Sequence, residues 1–165
     1  MDDIRVLEHK NAEKADKPSL YQYKESGLDN VWLFGGFSLE VVDGEEFLFV
    51  DDQEELHKAI ALGIVRNGSR ITGRELRFLR HELNLTQWDL ARLLESDPQA
   101  VARWEKGKSR IPGPADRLIR FLYLERMHEN PDVCELLETL AELDRLTHDK
   151  AVFERVQSRW QKQAA

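Results

Sequence analysis

Only one cysteine, Cys134, stands among the 165 residues, so no internal disulfide can form and a reducing cytoplasm suits the chain. No apolar run reaches the 18 or so residues that a transmembrane helix needs. Met1 to Arg5 lack the basic and apolar stretches of a secretory signal. The five histidines, at 9, 57, 81, 128 and 148, have no ligand spacing. The acidic run Asp51, Asp52, Glu54 and Glu55 reads as a complement to the exposed amides of a first helical turn rather than as a metal site. Neither a metal nor a cofactor is expected. There is also no glycine loop to cradle a phosphate, no nucleophile elbow, and no Ser or Cys with a plausible base nearby, which argues against an enzyme.

What is present is a divided charge. The net charge is −7, yet residues 66–126 carry 13 Lys and Arg against 8 Asp and Glu, while residues 1–65 carry 6 against 15 and residues 127–165 carry 5 against 8. Binding responds to local potential, so a cationic block between acidic ones predicts one surface for a polyanion and another for a different partner.

Residues 1–19, charged and short of aromatics, read as an arm. Tyr21, Tyr23, Val31 to Phe34, Phe37, Leu39 and Val41 have the texture of strands. Asp43-Gly44 suits a tight turn, which predicts that 37–42 and 45–50 pair as an antiparallel hairpin with a mostly aromatic core-facing side. Leu56, Ala59, Ile60, Gly63 and Ile64 then recur at helical spacing up to Asn67-Gly68. Residues 20–67 are thus expected to form a small, separate α+β element.

From Ile71 the signals are sharper. Thr72 and Glu75 match a capping box, so a helix starts at Gly73, with Leu76, Leu79 and Leu83 inward and Asn84 at its end. Thr86 caps a second helix carrying Leu90, Ala91 and Leu94. Asp97-Pro98 starts a third, with Val101 and Trp104 inward and Gly107 as its stop. Two short helices joined by a tight turn make a helix-turn-helix. A recognition helix presents its outward N-terminal residues to base edges, which selects Gln99, Ala100 and Arg103 as base readers. Gln87, Lys106, Lys108 and Arg110 are then the phosphate contacts, with solvated helix surface as the alternative reading for each charge. Trp88 either flanks a phosphate or covers the hydrophobic seam, and is read as packing.

The series Arg80, Leu83, Leu85-Thr86-Gln87, Leu90-Ala91, Leu94, Val101, Arg103-Trp104-Glu105, Gly107 resembles the DNA-binding domain of the Cro/phage-repressor, or XRE-type, superfamily. The resemblance implies a nucleoid-associated transcription regulator and a buried ion pair between Arg80 and Glu105. Together with Ile71 to Arg80, the segment resembles the C-terminal domain of MqsA/YgiT-type antitoxins, which add a toxin-binding N-terminal region and repress their own operon. Those proteins use paired N-terminal cysteines for a structural zinc; here no cysteine precedes Cys134.

Ile111 to Pro114 read as a rigid connector, followed by a helix over 115–126. Val133, Leu136, Leu137, Leu140, Leu143 and Leu146 form an amphipathic stripe that closes the core or meets a twofold mate, and 151–160 reads as another short helix. Cys134 reads as a small buried thiol. The expectation is therefore a mainly α chain with a small α+β N-terminal element: a flexible arm (1–19), a partner-binding element (20–67), a five-helix Cro/repressor-like domain (70–126), and C-terminal amphipathic helices (131–165). The functional expectation is a homodimeric repressor on a palindromic operator whose second partner is a small basic toxin. A stand-alone regulator with a sensing or purely structural N-terminal region is the alternative.

Overall fold

The computed structural model describes residues 20–127, 151–157 and 159–163. The arm, the leucine stripe of 133–146 and Cys134 lie outside the described residues. The described residues hold two sheets, five α-helices and a single 3-10 turn at Lys24–Ser26. Strands β1 (Leu20–Gln22) and β2 (Val31–Phe34) pair antiparallel; β3 (Phe37–Val42) and β4 (Glu45–Val50) form a separate hairpin. Helix α1 (Gln53–Arg66) leads to α2 (Gly73–Glu82), α3 (Gln87–Leu93), α4 (Pro98–Glu105) and α5 (Gly113–Arg126). Strands β5 (Ala151–Val156) and β6 (Arg159–Lys162) complete a four-stranded sheet of order β1-β2-β5-β6.

That last pairing corrects the helix expected over 151–160. Val152, Phe153, Val156 and Trp160 fit a helical stripe, but they also fit strands, and the free edge of β2 decides between the two. β5 lies parallel to β2 with Leu33 opposite Phe153 and then turns back at Gln157, whose φ is 48°, to pair Arg155 with Trp160. A partner more than a hundred residues away overrides the local period. Val31, Leu33 and Phe153 are buried with Leu56, Ile60, Ala61 and Ile64 of α1, so the far end of the chain completes the N-terminal core. The Trp160 indole N–H donates to the carbonyl of Asp51 at 3.1 Å. Gly36, at φ +69°, leaves room for its ring: a Cβ there would stand 2.8 Å from two ring carbons.

The β3–β4 hairpin turns at Asp43-Gly44, both at positive φ, in the register Phe37 opposite Val50 through Val42 opposite Glu45. Its aromatic side is not the core-facing one. Phe37, Leu48 and Val50 pack partly against the core, while Phe47 and Phe49 are exposed. In an alternating strand these two sets lie on opposite faces.

Four helices, not five, lie within 73–126; α1 supplies the fifth by packing on α2 and α5. The N-terminal element is accordingly not separate from the helical part. Arg120 of α5, 1% exposed, ties the two together. Its guanidinium donates to the carbonyls of Ile64, Val65 and Asn67 at 2.9, 3.0 and 2.5 Å, and to Ser69 at 2.6 Å. Asp116, one turn earlier, accepts from Arg120 Nε at 2.6 Å and from the Ile71 N–H at 2.9 Å. The last carbonyls of a helix have no partner within it, and here a buried arginine caps them while a carboxylate balances its charge. A second tie runs through side chains: Tyr23 Oη lies 2.9 Å from His57 Nε2, and His57 Nδ1 lies 2.9 Å from Glu82 Oε1 on α2. Burial pushes the Tyr23 hydroxyl pKa up, so the phenol stays neutral.

Candidate nucleic-acid interface

Helix α2 starts where Thr72 and Glu75 cap each other: the Thr72 hydroxyl accepts from the Glu75 N–H at 3.2 Å and the Glu75 carboxylate accepts from the Thr72 N–H at 2.7 Å. Gly73 lets this end press on α4, since a Cβ there would lie 2.2 Å from the carbonyl oxygen of Trp104. Asn84, at φ 54°, ends the helix, and the Leu85 N–H returns to the Arg80 carbonyl at 3.0 Å. Thr86 then caps α3 in a second capping box, closed by Asp89. Hydrogen bonds from the Thr86 side chain and backbone hold the Asp89 carboxyl below its usual range. Glu95, at φ 47°, turns the chain, and Asp97 caps α4 by accepting from the Gln99 N–H at 2.6 Å, with Pro98 in the first turn.

One polar cluster fixes these helices to each other. Arg80 donates through Nε to Glu105 Oε1 at 2.6 Å and through Nη2 to Oε2 at 3.1 Å, so α2 grips α4 with two parallel bonds. Arg80 Nη1 donates to the Leu85 carbonyl at 2.8 Å, and Gln87 Nε2 donates to Glu105 Oε2 at 2.8 Å, which brings in the turn and the start of α3. Burial alone would raise the Glu105 pKa. The hydrogen bonds from Arg80 and Gln87, and the charges of Arg80 and Arg77, outweigh it and hold the carboxyl below its ordinary range.

With Val101 and Trp104 buried beneath it, α4 turns Gln99 and Arg103 outward, one helical turn apart and both exposed. Ala100 is half-buried and leans on the core, so it offers only part of its methyl to a ligand. Lys106, Lys108 and Arg110 are exposed in the loop beyond α4, where Gly107 takes φ 66° and the Lys108 N–H returns to the Arg103 carbonyl at 2.9 Å. Gln87 is half-buried and its carboxamide is engaged by Glu105, so its side chain braces the cluster, and what this first residue of α3 has left for a ligand is a first-turn backbone N–H.

Trp88 departs from its expected packing role. It is 60% exposed, with the Arg92 guanidinium 5.3 Å from its ring centroid. Trp88 lies across α3 from the buried Leu90 but on the same side as the buried Ala91, three residues on, so spacing alone does not decide its exposure. Nothing local marks Gln87 as a partner of Glu105, nor Asp89 as the second half of a capping box that is more often closed by Glu or Gln.

Among the described residues no three His, Cys, Asp or Glu side chains converge to hold a metal ion, and no helix is long and apolar enough to cross a membrane. A helix-turn-helix family model matches residues 76–115, from α2 into the first turn of α5. No curated protein and no solved structure matches the chain. The matched segment is a helix-turn-helix of the DNA-binding, transcription-regulating XRE type, and α3 and α4 are its two helices.

Proposed function

We propose that the chain is a homodimeric transcriptional repressor that reads a palindromic operator with α4, and that it is the antitoxin of a toxin–antitoxin pair, related to the MqsA/YgiT type but without zinc. The observation that carries the DNA reading is the outward pair Gln99 and Arg103 on a helix braced from behind by Val101, Trp104 and the Arg80–Glu105 cluster. In the major groove Gln99 pairs with an adenine edge, Arg103 with guanine, and Ala100 meets a thymine methyl. Lys106, Lys108, Arg110 and the Gln87 backbone hold phosphates and set the register. The protein works in the cytoplasm on nucleoid DNA, with no catalytic step. Partner binding falls to the acidic N-terminal region, whose charge suits a basic toxin and repels DNA.

A stand-alone regulator with a structural N-terminal region is the second reading. It is favoured by the Arg120 and Tyr23–His57–Glu82 ties, which make α1 and the sheet part of the support for α2 and α5. Truncation at Ile71 cannot separate the two readings, because it strips Arg120 of the carbonyls of Ile64, Val65, Asn67 and Ser69. Titration of the intact protein against its own upstream DNA tests the repressor. Co-purification with the product of a neighbouring reading frame tests the antitoxin. A stoichiometric basic protein supports that role, and purification alone from the complete operon contradicts it.

A further inference from the structure

The β3–β4 hairpin stands apart from the rest of the surface. The sheet order leaves both of its strands as edges, each with a row of backbone groups turned away from its partner strand. Large apolar side chains on it meet solvent beside the acidic ones: Val41 is 72% exposed, Phe49 50%, Val42 48%, Phe47 44% and Leu39 42%. Alternation and register place Val42, Phe47 and Phe49 on one face together with Ser38, Glu40 and Glu45, and every residue of that face is exposed. Glu40 lies directly opposite Phe47, and Glu45 opposite Val42. An open, edge-exposed apolar strand pair is an aggregation hazard unless something covers it.

Charge selects the occupant. Between residues 25 and 57 there are ten Asp and Glu and not one Lys or Arg. DNA is repelled by such a surface, and so is a second copy of the same face, in which Glu40 and Glu45 would meet their own kind. A cationic protein segment fits on every count. Its backbone pairs with a free strand edge, its lysines or arginines on one face meet Glu40 and Glu45 and lie on the phenyl faces, and its alternating apolar side chains on the other face extend the exposed row of Leu39 and Val41.

We propose that the exposed face of the β3–β4 hairpin docks a basic, apolar protein segment by strand addition, with Phe47 and Phe49 as anchors and Glu40 and Glu45 as its charge selectors. This rests on the partner-binding half of the proposed function and not on the DNA half.

The test uses the full chain and two eight-residue probes, one alternating lysine with valine and one alternating glutamate with valine. Fluorescence anisotropy gives the affinities, and hydrogen exchange locates the protected amides. The lysine peptide is expected to bind at least tenfold more tightly than the glutamate peptide and to slow exchange within residues 37–50. The double variant Glu40→Lys/Glu45→Lys should invert that preference, and Phe47→Ser/Phe49→Ser should weaken both peptides at least tenfold. All four residues are exposed, so each variant should keep operator binding within twofold of the parent. Equal affinity for the two peptides overturns the proposal, as does binding of neither. Hairpin protection that rises with protein concentration alone assigns the face to a second copy and overturns it too. Loss of operator binding in the variants would make the hairpin structural, whereas peptide failure with operator binding intact leaves the repressor reading standing.

Discussion

Arg103 and Lys106 sit three residues apart and are expected to behave differently. Arg103 lies on the outward face of α4, and its replacement by alanine should cost about 1–3 kcal/mol on the operator while sparing non-specific DNA. Lys106→Ala in the following turn should weaken operator and scrambled DNA alike, as a phosphate contact does. Paired titrations with both DNAs check each variant. Behind the reading face, Arg80→Ala leaves Glu105 buried without its cation, and a broken buried pair of this kind costs about 3–5 kcal/mol, measurable by urea unfolding. The sign of the pH effect follows from the carboxyl. The Glu105 pKa is lower in the fold than in the open chain, so its stabilising share is complete above the ordinary Glu range and is lost as pH falls through the folded value. His81 acts in the same direction at higher pH: burial and the charges of Arg80 and Arg77 lower its pKa from 6.5, so stability drains as pH falls below that value. A Glu105→Gln variant should unfold more easily at neutral pH and lose part of its acid sensitivity. An unchanged acid profile in that variant would detach Glu105 from the stability of the domain.

Among the elements, those with local signals were legible and those held by distant partners were not. Thr72, Thr86 and Asp97 each announce a helix start, and Asp43-Gly44 announces the hairpin, because caps and turns are satisfied within a few residues. Strands β5 and β6 carry no such local signature. Their apolar spacing fits either period, and only the edge of β2 makes them strands. The aromatic texture of β4 was plain, but which of its faces meets the core depends on where the hairpin roots, and that is set by Phe37, Leu48 and Val50. Nothing local singles out Arg120 among the charges of α5; its role emerges only when the end of α1 arrives beside it. If β5 does complete the N-terminal core, Phe153→Ala should cost about 3–5 kcal/mol despite lying far from 20–67 in sequence. A thermal melt at the parental midpoint would refute that packing.

For the whole molecule, the division of charge was visible from the start, and the structure gives it a physical layout: a cationic helix-turn-helix at 76–115 and an anionic hairpin at 37–50 share one folded body through α1. The candidate base readers Gln99 and Arg103 followed from spacing alone, whereas the bracing role of Gln87 and the exposure of Trp88 needed three dimensions. Operator affinity should fall as salt rises, with a log–log slope of about −0.9 per phosphate neutralised. The operator is expected to be an inverted repeat with half-sites one helical turn, about 10 bp, or a multiple of it, apart. A chelator should leave both the fold and DNA binding unchanged, since no cysteine precedes Cys134 and the five histidines have no ligand spacing, and stoichiometric zinc by elemental analysis would refute this. The most direct measurement is a titration of the intact protein and Arg103→Ala against the DNA upstream of its own gene, with a scrambled sequence of equal length beside each. The expected result is tight binding of the parent to its upstream DNA and a variant that loses that preference while still holding scrambled DNA. A parent that binds both DNAs equally, or a variant with undiminished preference, would contradict sequence reading by α4.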